Sequence, residues 1–154
     1  MEIQHYGDWS LRFHEREADR RIPLSGTLEL TRRCNQACAH CYNNLPVDDR
    51  ASHSSELTFE EWRRILDEIA AAGCLWLLLT GGEIFLRPDL LDIYAHARRK
   101  GLLITLFMNA TLVTPAIADA LAVRRPFSIE ISLYGHTRET HERITGVPGS
   151  YEAT

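Results

Sequence analysis

No stretch of this 154-residue chain is apolar for long enough to cross a bilayer. The longest such run, around Leu75 to Leu79, is far short of the about 20 residues a spanning helix needs. Nothing at the N-terminus reads as a secretory signal, so a reducing, cytoplasmic setting is expected and disulfides are not. Basic residues form no block. The 17 Lys and Arg are scattered among 21 Asp and Glu for a net charge of −4, which speaks against a nucleic-acid surface. No low-complexity tract and no internal repeat is visible beyond an alternation of strand-like and helix-like segments. Cysteine is scarce, with four in all. What remains is a chain that is 45% hydrophobic, enough for one domain with a real core.

Three of those cysteines crowd into Cys34-Asn35-Gln36-Ala37-Cys38-Ala39-His40-Cys41. Three residues separate the first pair and two the second. Thiolates this close suit a soft metal, and iron–sulfur clusters are held mainly by cysteine thiolates. A cubane cluster normally takes four cysteines. Three would leave one iron without a protein ligand, open to a small molecule. Two other readings stand beside this one. A structural zinc site also uses such spacings, with His40 or the freer His53 as fourth ligand. The thiols could also be inert.

The rest of the chain reads as alternating elements. Met1 to Ser25 is polar and charged, with Arg12 to Arg21 crowded by both signs. It is expected to be a solvated leader, a loose strand plus turn, or part of a peptide-docking surface. Thr27 to Thr31 alternates as a first strand, and Asn43 to Glu56 is rich in loop residues. Thr58 and Glu61 form a capping box for a helix with Phe59, Trp62, Ile65, Leu66 and Ile69 on its inner face, ended by Gly73. Cys74 to Thr80 reads as a strand buried on both faces, with Cys74 a small buried hydrophobe. A second helix is expected to begin at Pro88 and stop at Gly101. A third strand runs over Leu102 to Met108 and ends at Asn109. Thr114-Pro115 opens a third helix, and Phe127 to Leu133 is a fourth strand. On that strand Ser128, Glu130 and Ser132 share one face and Ile129, Ile131 and Leu133 the other. A helical turn over Thr137 to Arg143 follows, and Ser150 is expected to cap a last helix.

Strand–helix alternation of this kind means parallel strands joined by right-handed crossovers. The cysteine loop, Gly81-Gly82-Glu83, Asn109 and Ser132 then fall at the carboxyl ends of successive strands. In parallel barrels that end holds the active site.

The motifs carrying these residues resemble a known family. Cys-x₃-Cys-x₂-Cys with an aromatic ring before the last cysteine is similar to the signature of the radical S-adenosylmethionine (SAM) enzymes, and Gly81-Gly82-Glu83 to their second motif. The wording around them (Cys41-Tyr42-Asn43, Thr80 to Asp89, Ile131 to Gly135) resembles the peptide-modifying branch, which often carries extra clusters in a C-terminal domain. The resemblance implies an α/β fold, a partial TIM-type (β/α) barrel of which about four strand–helix units are present. Residues 1–24 would be a leader and 25–154 the N-terminal portion of the core domain of a longer enzyme. If the chain ends there, its last strand is expected to be an uncovered hydrophobic edge.

The resemblance also implies a [4Fe-4S] cluster on Cys34, Cys38 and Cys41, with SAM chelating the open iron. A 5′-deoxyadenosyl radical would then abstract hydrogen from a peptide or small molecule. A low-potential electron donor, a flavodoxin or ferredoxin, is implied as partner. Gly81 and Gly82 would let backbone approach the methionine moiety, and Glu83 would accept from its ammonium. Ser132 and Asn109 would bond the ribose or carboxylate, and His40 would border the adenine. Glu130, Tyr134 and His136 are weaker candidates for SAM or substrate contacts. The competing function is a non-catalytic module binding zinc or a structural cluster.

Overall fold

The computed structural model describes residues 5–43 and 45–154. Residues 1–4 of the expected leader and residue 44 of the expected loop lie outside the described residues. Four strands, β1 (Ser25–Glu29), β4 (Trp76–Thr80), β5 (Leu103–Met108) and β6 (Ser128–Ile131), form one parallel sheet in the order β1-β4-β5-β6. The order follows the chain without reversal. Successive crossovers therefore step in one direction, as a barrel wall does. Two further short strands, β2 (Arg33–Cys34) and β3 (Leu45–Pro46), pair in parallel beside the cysteine loop.

The helices sit where the apolar spacing put them. In α3 (Phe59–Ala71) Thr58 and Glu61 complete the capping box, and Trp62 and Leu66 are buried. In α4 (Leu90–Arg99) Leu90, Ile93, Tyr94 and Ala97 turn inward, and the helix begins at Leu90 after Asp89 at the cap position, not at Pro88 as expected. Thr114 caps α5 (Pro115–Val123) with its hydroxyl, and Pro115 opens that helix. The core lies between this helix layer and Leu77, Leu79, Ile104 and Leu106 of the central strands, all essentially enclosed. Alternation carries the other set, Leu78, Thr105 and Phe107, to the concave face. Glu130 pairs in register with Phe107 and so takes that face, where it is exposed.

Three segments depart from the sequence reading. The stretch expected to be a solvated leader holds α1 (Tyr6–Glu17) and a single 3₁₀ turn (Ala18–Arg20). Tyr6, Trp9 and Phe13 recur at i, i+3 and i+7 and gather on Trp76 at the amino end of β4: Trp9 packs tilted and Phe13 edge-on against it, its Nε1 donates to the Tyr6 hydroxyl at 2.6 Å, and Phe127 lies against Tyr6. Three apolar rings among many charges were too few to show against the mixed-sign background. The polar loop after Asn43 contains β3 and α2 (Arg50–Ser55), the latter capped by the Asp49 carboxylate on Ser52 N–H at 2.6 Å. Toward the end come α6 (Arg138–Thr145) and α7 (Ser150–Ala153). Ser150 is the first residue of α7 and not its cap. Its hydroxyl lies 2.7 Å from that of Thr145.

β6 is one of the two edges of the sheet, β1 being the other. Its outward residues Ile129 and Ile131, and Leu133 beyond it, are 43, 48 and 60% exposed. Ile129 and Ile131 line an apolar groove of about 720 Å³ together with Val113, Leu121 and Phe127. Among the described residues no helix is long and apolar enough to cross a membrane.

Candidate functional site

The cysteine loop crosses the carboxyl ends of the strands and is tied down on every side. On the first, Gly82 donates its N–H to Thr31 O at 2.8 Å and Glu83 donates to Arg33 O at 2.9 Å. On the second, the Asn109 amide reaches Asn35 Oδ1 at 2.8 Å, and Asn35 Nδ2 reaches the Thr111 hydroxyl at 2.8 Å. On the third, Ala37 and Ala39 donate to Thr145 O and Ile144 O at 2.8 and 2.9 Å. Those carbonyls end α6, where a helix has no partners of its own for them. The irregular loop is thereby held by three elements distant in sequence, two of them through its backbone and one through the Asn35 side chain.

Below the loop lies a set of buried charges that no local spacing announced. Glu56 accepts from Arg33 at 2.8 and 3.1 Å and from the Thr31 hydroxyl at 2.5 Å. Arg87 stands 3.5 Å from the same carboxylate. It also pairs with Asp89 at 2.7 Å and donates to Leu30 O and Leu57 O. Burial works against ionising Glu56. The Arg33 and Thr31 hydrogen bonds and the charge of Arg87 outweigh it and hold the carboxyl below its ordinary range. Arg33 directly precedes Cys34, so this clamp fixes the start of the cysteine loop. Glu56 lies 23 residues from Arg33 and 25 from Thr31, and periodicity arguments pass over such pairs.

Cys34, Cys38 and Cys41 line one cavity of about 120 Å³. Its other walls include Gly81, Gly82, Asn109, Ser132 and Tyr134. Sequence reasoning and structure meet here, because the cysteine loop and the ends of β4, β5 and β6 line one hollow. Cys34 Sγ receives the Gln36 backbone N–H at 3.4 Å and the Asn109 amide at 3.8 Å, and Cys41 Sγ receives the Asn43 N–H at 3.4 Å. Burial pushes the Cys34 and Cys38 thiols up. The Tyr134 phenol, also pushed up by burial, lies against Ser132 and Cys38. His40 meets the Tyr134 ring edge-on at 4.8 Å and is itself exposed at the rim. His136 is exposed and does not line the cavity.

Two sequence expectations change in detail. A Cβ on Gly81 would stand 2.2 Å from Thr31 O, and one on Gly82 would stand 2.2 Å from Arg33 O. The space a side chain would need is filled by the protein's own backbone, so these glycines first serve the seating of the cysteine loop. Glu83 is fully enclosed, and its two oxygens accept the N–H groups of Phe85 at 3.0 Å and Asn109 at 2.8 Å. Burial raises its pKa while these two donors pull it down. Its carboxylate is committed to joining two strand ends and does not face the cavity. Asn109 likewise spends its side chain on Asn35, Cys34 and Thr111. Cys74 is buried at the other end of β4, as its position predicted, with Leu24 O and Trp76 O beside its sulfur.

The donor set suits an iron–sulfur cluster better than one ion. Among the described residues no three His, Cys, Asp or Glu side chains converge on a single-ion position. His53 sits exposed on α2. A cluster spreads its thiolates over separate irons, so it needs them around a hollow and not at a point. Gln36 Nε2 is buried and without a partner among the described residues; its residue lines the cavity with the thiols, so it is a donor that sulfur could satisfy.

Comparison with known proteins agrees with this geometry. A family profile, Radical SAM superfamily, matches residues 28–154. An AdoMet-dependent heme synthase of Methanosarcina barkeri is 36% identical over 126 residues, 82% of this chain and 35% of that protein. A PqqA peptide cyclase of Ruegeria pomeroyi is 39% identical over 129 residues, 84% of this chain and 34% of that protein. The crystal structure of Streptococcus suis SuiB bound to S-adenosylmethionine superposes with a TM-score of 0.71 at 18% identity, over 96% of this chain and 35% of that one. This chain therefore spans about a third of the length of these relatives.

Proposed function

We propose, since this chain belongs to the radical SAM superfamily, that it forms the cofactor-binding part of an enzyme using a [4Fe-4S] cluster and S-adenosylmethionine. The observation that carries the proposal is the single hollow walled by Cys34, Cys38 and Cys41 on one side and by the ends of β4, β5 and β6 on the other. When bound, such a cluster supplies the electron that splits the sulfonium into methionine and a 5′-deoxyadenosyl radical, which takes a hydrogen atom from the substrate. The electron comes from a low-potential donor, proposed to be a flavodoxin or ferredoxin.

The chain's own residues have separable parts in this reading. The three cysteines would hold the iron of the cluster, which would leave an iron for the sulfonium compound to bind. Gly81 and Gly82 keep the β4 turn low enough for the loop to rest on it. Glu83 acts at one remove, fixing Asn109 so that its amide faces the thiol of Cys34. Ser132 offers the hydroxyl and His40 the ring for contacts with the nucleoside. The substrate is proposed to be a peptide or a small molecule, the two kinds named for the cyclase and heme synthase relatives, and the setting is proposed to be cytoplasmic.

Anaerobic reconstitution with iron and sulfide is the test. A brown protein whose reduced spin-resonance signal changes on adding S-adenosylmethionine supports the proposal. A colourless protein that retains stoichiometric zinc instead would replace it with the structural-module reading.

A further inference from the structure

Gln36, in the cysteine loop, touches two of the three cysteines. Its backbone N–H lies 3.4 Å from Cys34 Sγ, and its side-chain Oε1 takes the Cys38 S–H at 3.6 Å. The side chain lines the same hollow as the thiols and is 6% exposed. Its Nε2 is buried and finds no partner among the described residues. An enclosed amide donor left unbonded is costly, so it marks a contact completed by something else.

The chemistry of ligation says what completes it. A cysteine bound to iron is a thiolate, which accepts hydrogen bonds and has no proton to give. The contact from Cys38 to Gln36 Oε1 then disappears, and two acceptors would face each other across it. A half-turn of the carboxamide exchanges oxygen and nitrogen at almost no cost in shape, because the two ends are nearly the same size. The donor that has no partner is then aimed at the sulfur.

We propose that Gln36 is a positioning residue for the cluster, its carboxamide donating an N–H to the Cys38 sulfur. Such a bond draws charge from the sulfur and favours the more negative, reduced state. Hydrogen bonds to cluster sulfurs are among the factors that set the reduction potential. Gln36 thus makes the cluster easier to reduce than the same three cysteines alone would. The inference rests on the cluster reading above and adds to it a named residue that governs electron entry.

The test is a redox titration of the reconstituted chain, unsubstituted and with Gln36→Leu or Gln36→Met, followed by the spin-resonance signal of the reduced cluster. Both variants remove the donor and keep the bulk. The expected result is an intact cluster whose reduced-to-oxidised ratio at a fixed poise falls about tenfold, which is about 59 mV for one electron. A potential equal to that of the unsubstituted protein overturns the inference.

If neither variant loads iron, the unsubstituted sequence still decides. The chain has only two glutamines, Gln4 and Gln36. A Gln4→Ala protein labelled with ¹⁵N on the glutamine side chain therefore reports on Gln36 alone. A ¹⁵N hyperfine coupling to the reduced cluster supports the inference, and its absence overturns it. A chain that assembles no four-iron centre at all overturns the cofactor reading and this inference with it. A centre that forms without any response to Gln36 overturns this inference alone.

Discussion

Glu83 Oε2 accepts the backbone N–H of Asn109 at 2.8 Å, and that one bond ties the turn after β4 to the end of β5 inside the protein. The other oxygen holds the Phe85 N–H, so the carboxylate serves as a rivet between two strand ends. Glu83→Ala leaves both amides enclosed without acceptors. Each lost charge-assisted bond costs about 1.5–3 kcal/mol, so the variant is expected to lose about 3 kcal/mol or more in urea denaturation. A loss under about 1 kcal/mol would mean that water replaces the carboxylate and that the rivet is dispensable.

Gly82→Ala sets a Cβ 2.2 Å from the Arg33 carbonyl, so the cysteine loop must shift. The expected outcome is a folded protein with most of its capacity for iron and sulfide gone. Gly7, in α1, has nothing within 4 Å of the same added atom. Gly7→Ala is expected to keep full loading and to gain roughly 0.5–1 kcal/mol from helix propensity. Iron analysis beside thermal melting of the two variants checks this contrast. Equal loading would show that the loop can seat itself elsewhere.

Replacing Glu56 by Gln removes the charge that Arg33 and Arg87 share. Both guanidinium groups are nearly enclosed, and breaking such a buried pair costs about 3–5 kcal/mol. The Glu56 carboxyl titrates below its ordinary range when folded. Its contribution is therefore complete above the unfolded value and lost as pH falls through the folded one. The stability gap between the parent protein and Glu56→Gln should be widest near neutrality and close on acidification. A gap that widens toward acid would reverse the sign and discard the clamp.

Cys34→Ser, Cys38→Ser and Cys41→Ser are each expected to abolish stable cluster loading. Cys74→Ala should load normally and cost about 1–2 kcal/mol, as removal of a small buried side chain does. Iron-to-protein ratios for the four variants separate ligands from packing, and loss of iron in the Cys74 variant would contradict the assignment.

The legible parts of the site were those carried by short spacing. Cys-x₃-Cys-x₂-Cys and the paired glycines lie within a few residues of one another, and the strand–helix alternation placed them at one edge. The illegible parts were contacts between distant segments. Glu56 with Arg33, Ala37 with Thr145 and Gln36 with its unbonded donor leave no periodic trace. α1 was missed because only three rings on one face distinguish it from a charged, solvated stretch.

By itself the order of residues settled where α3 and α5 begin and that the strands run parallel, and it singled out the three crowded cysteines. Hydrogen-bonding caps and apolar periodicity act within a few turns of chain, so they can be read there. Only the folded chain decided what those groups do to one another. It turned Glu83 away from the hollow and onto two amides, gave the glycines to the cysteine loop, and left Gln36 with a free donor. Burial and distance between remote segments set those roles, and neither exists until the sheet has formed.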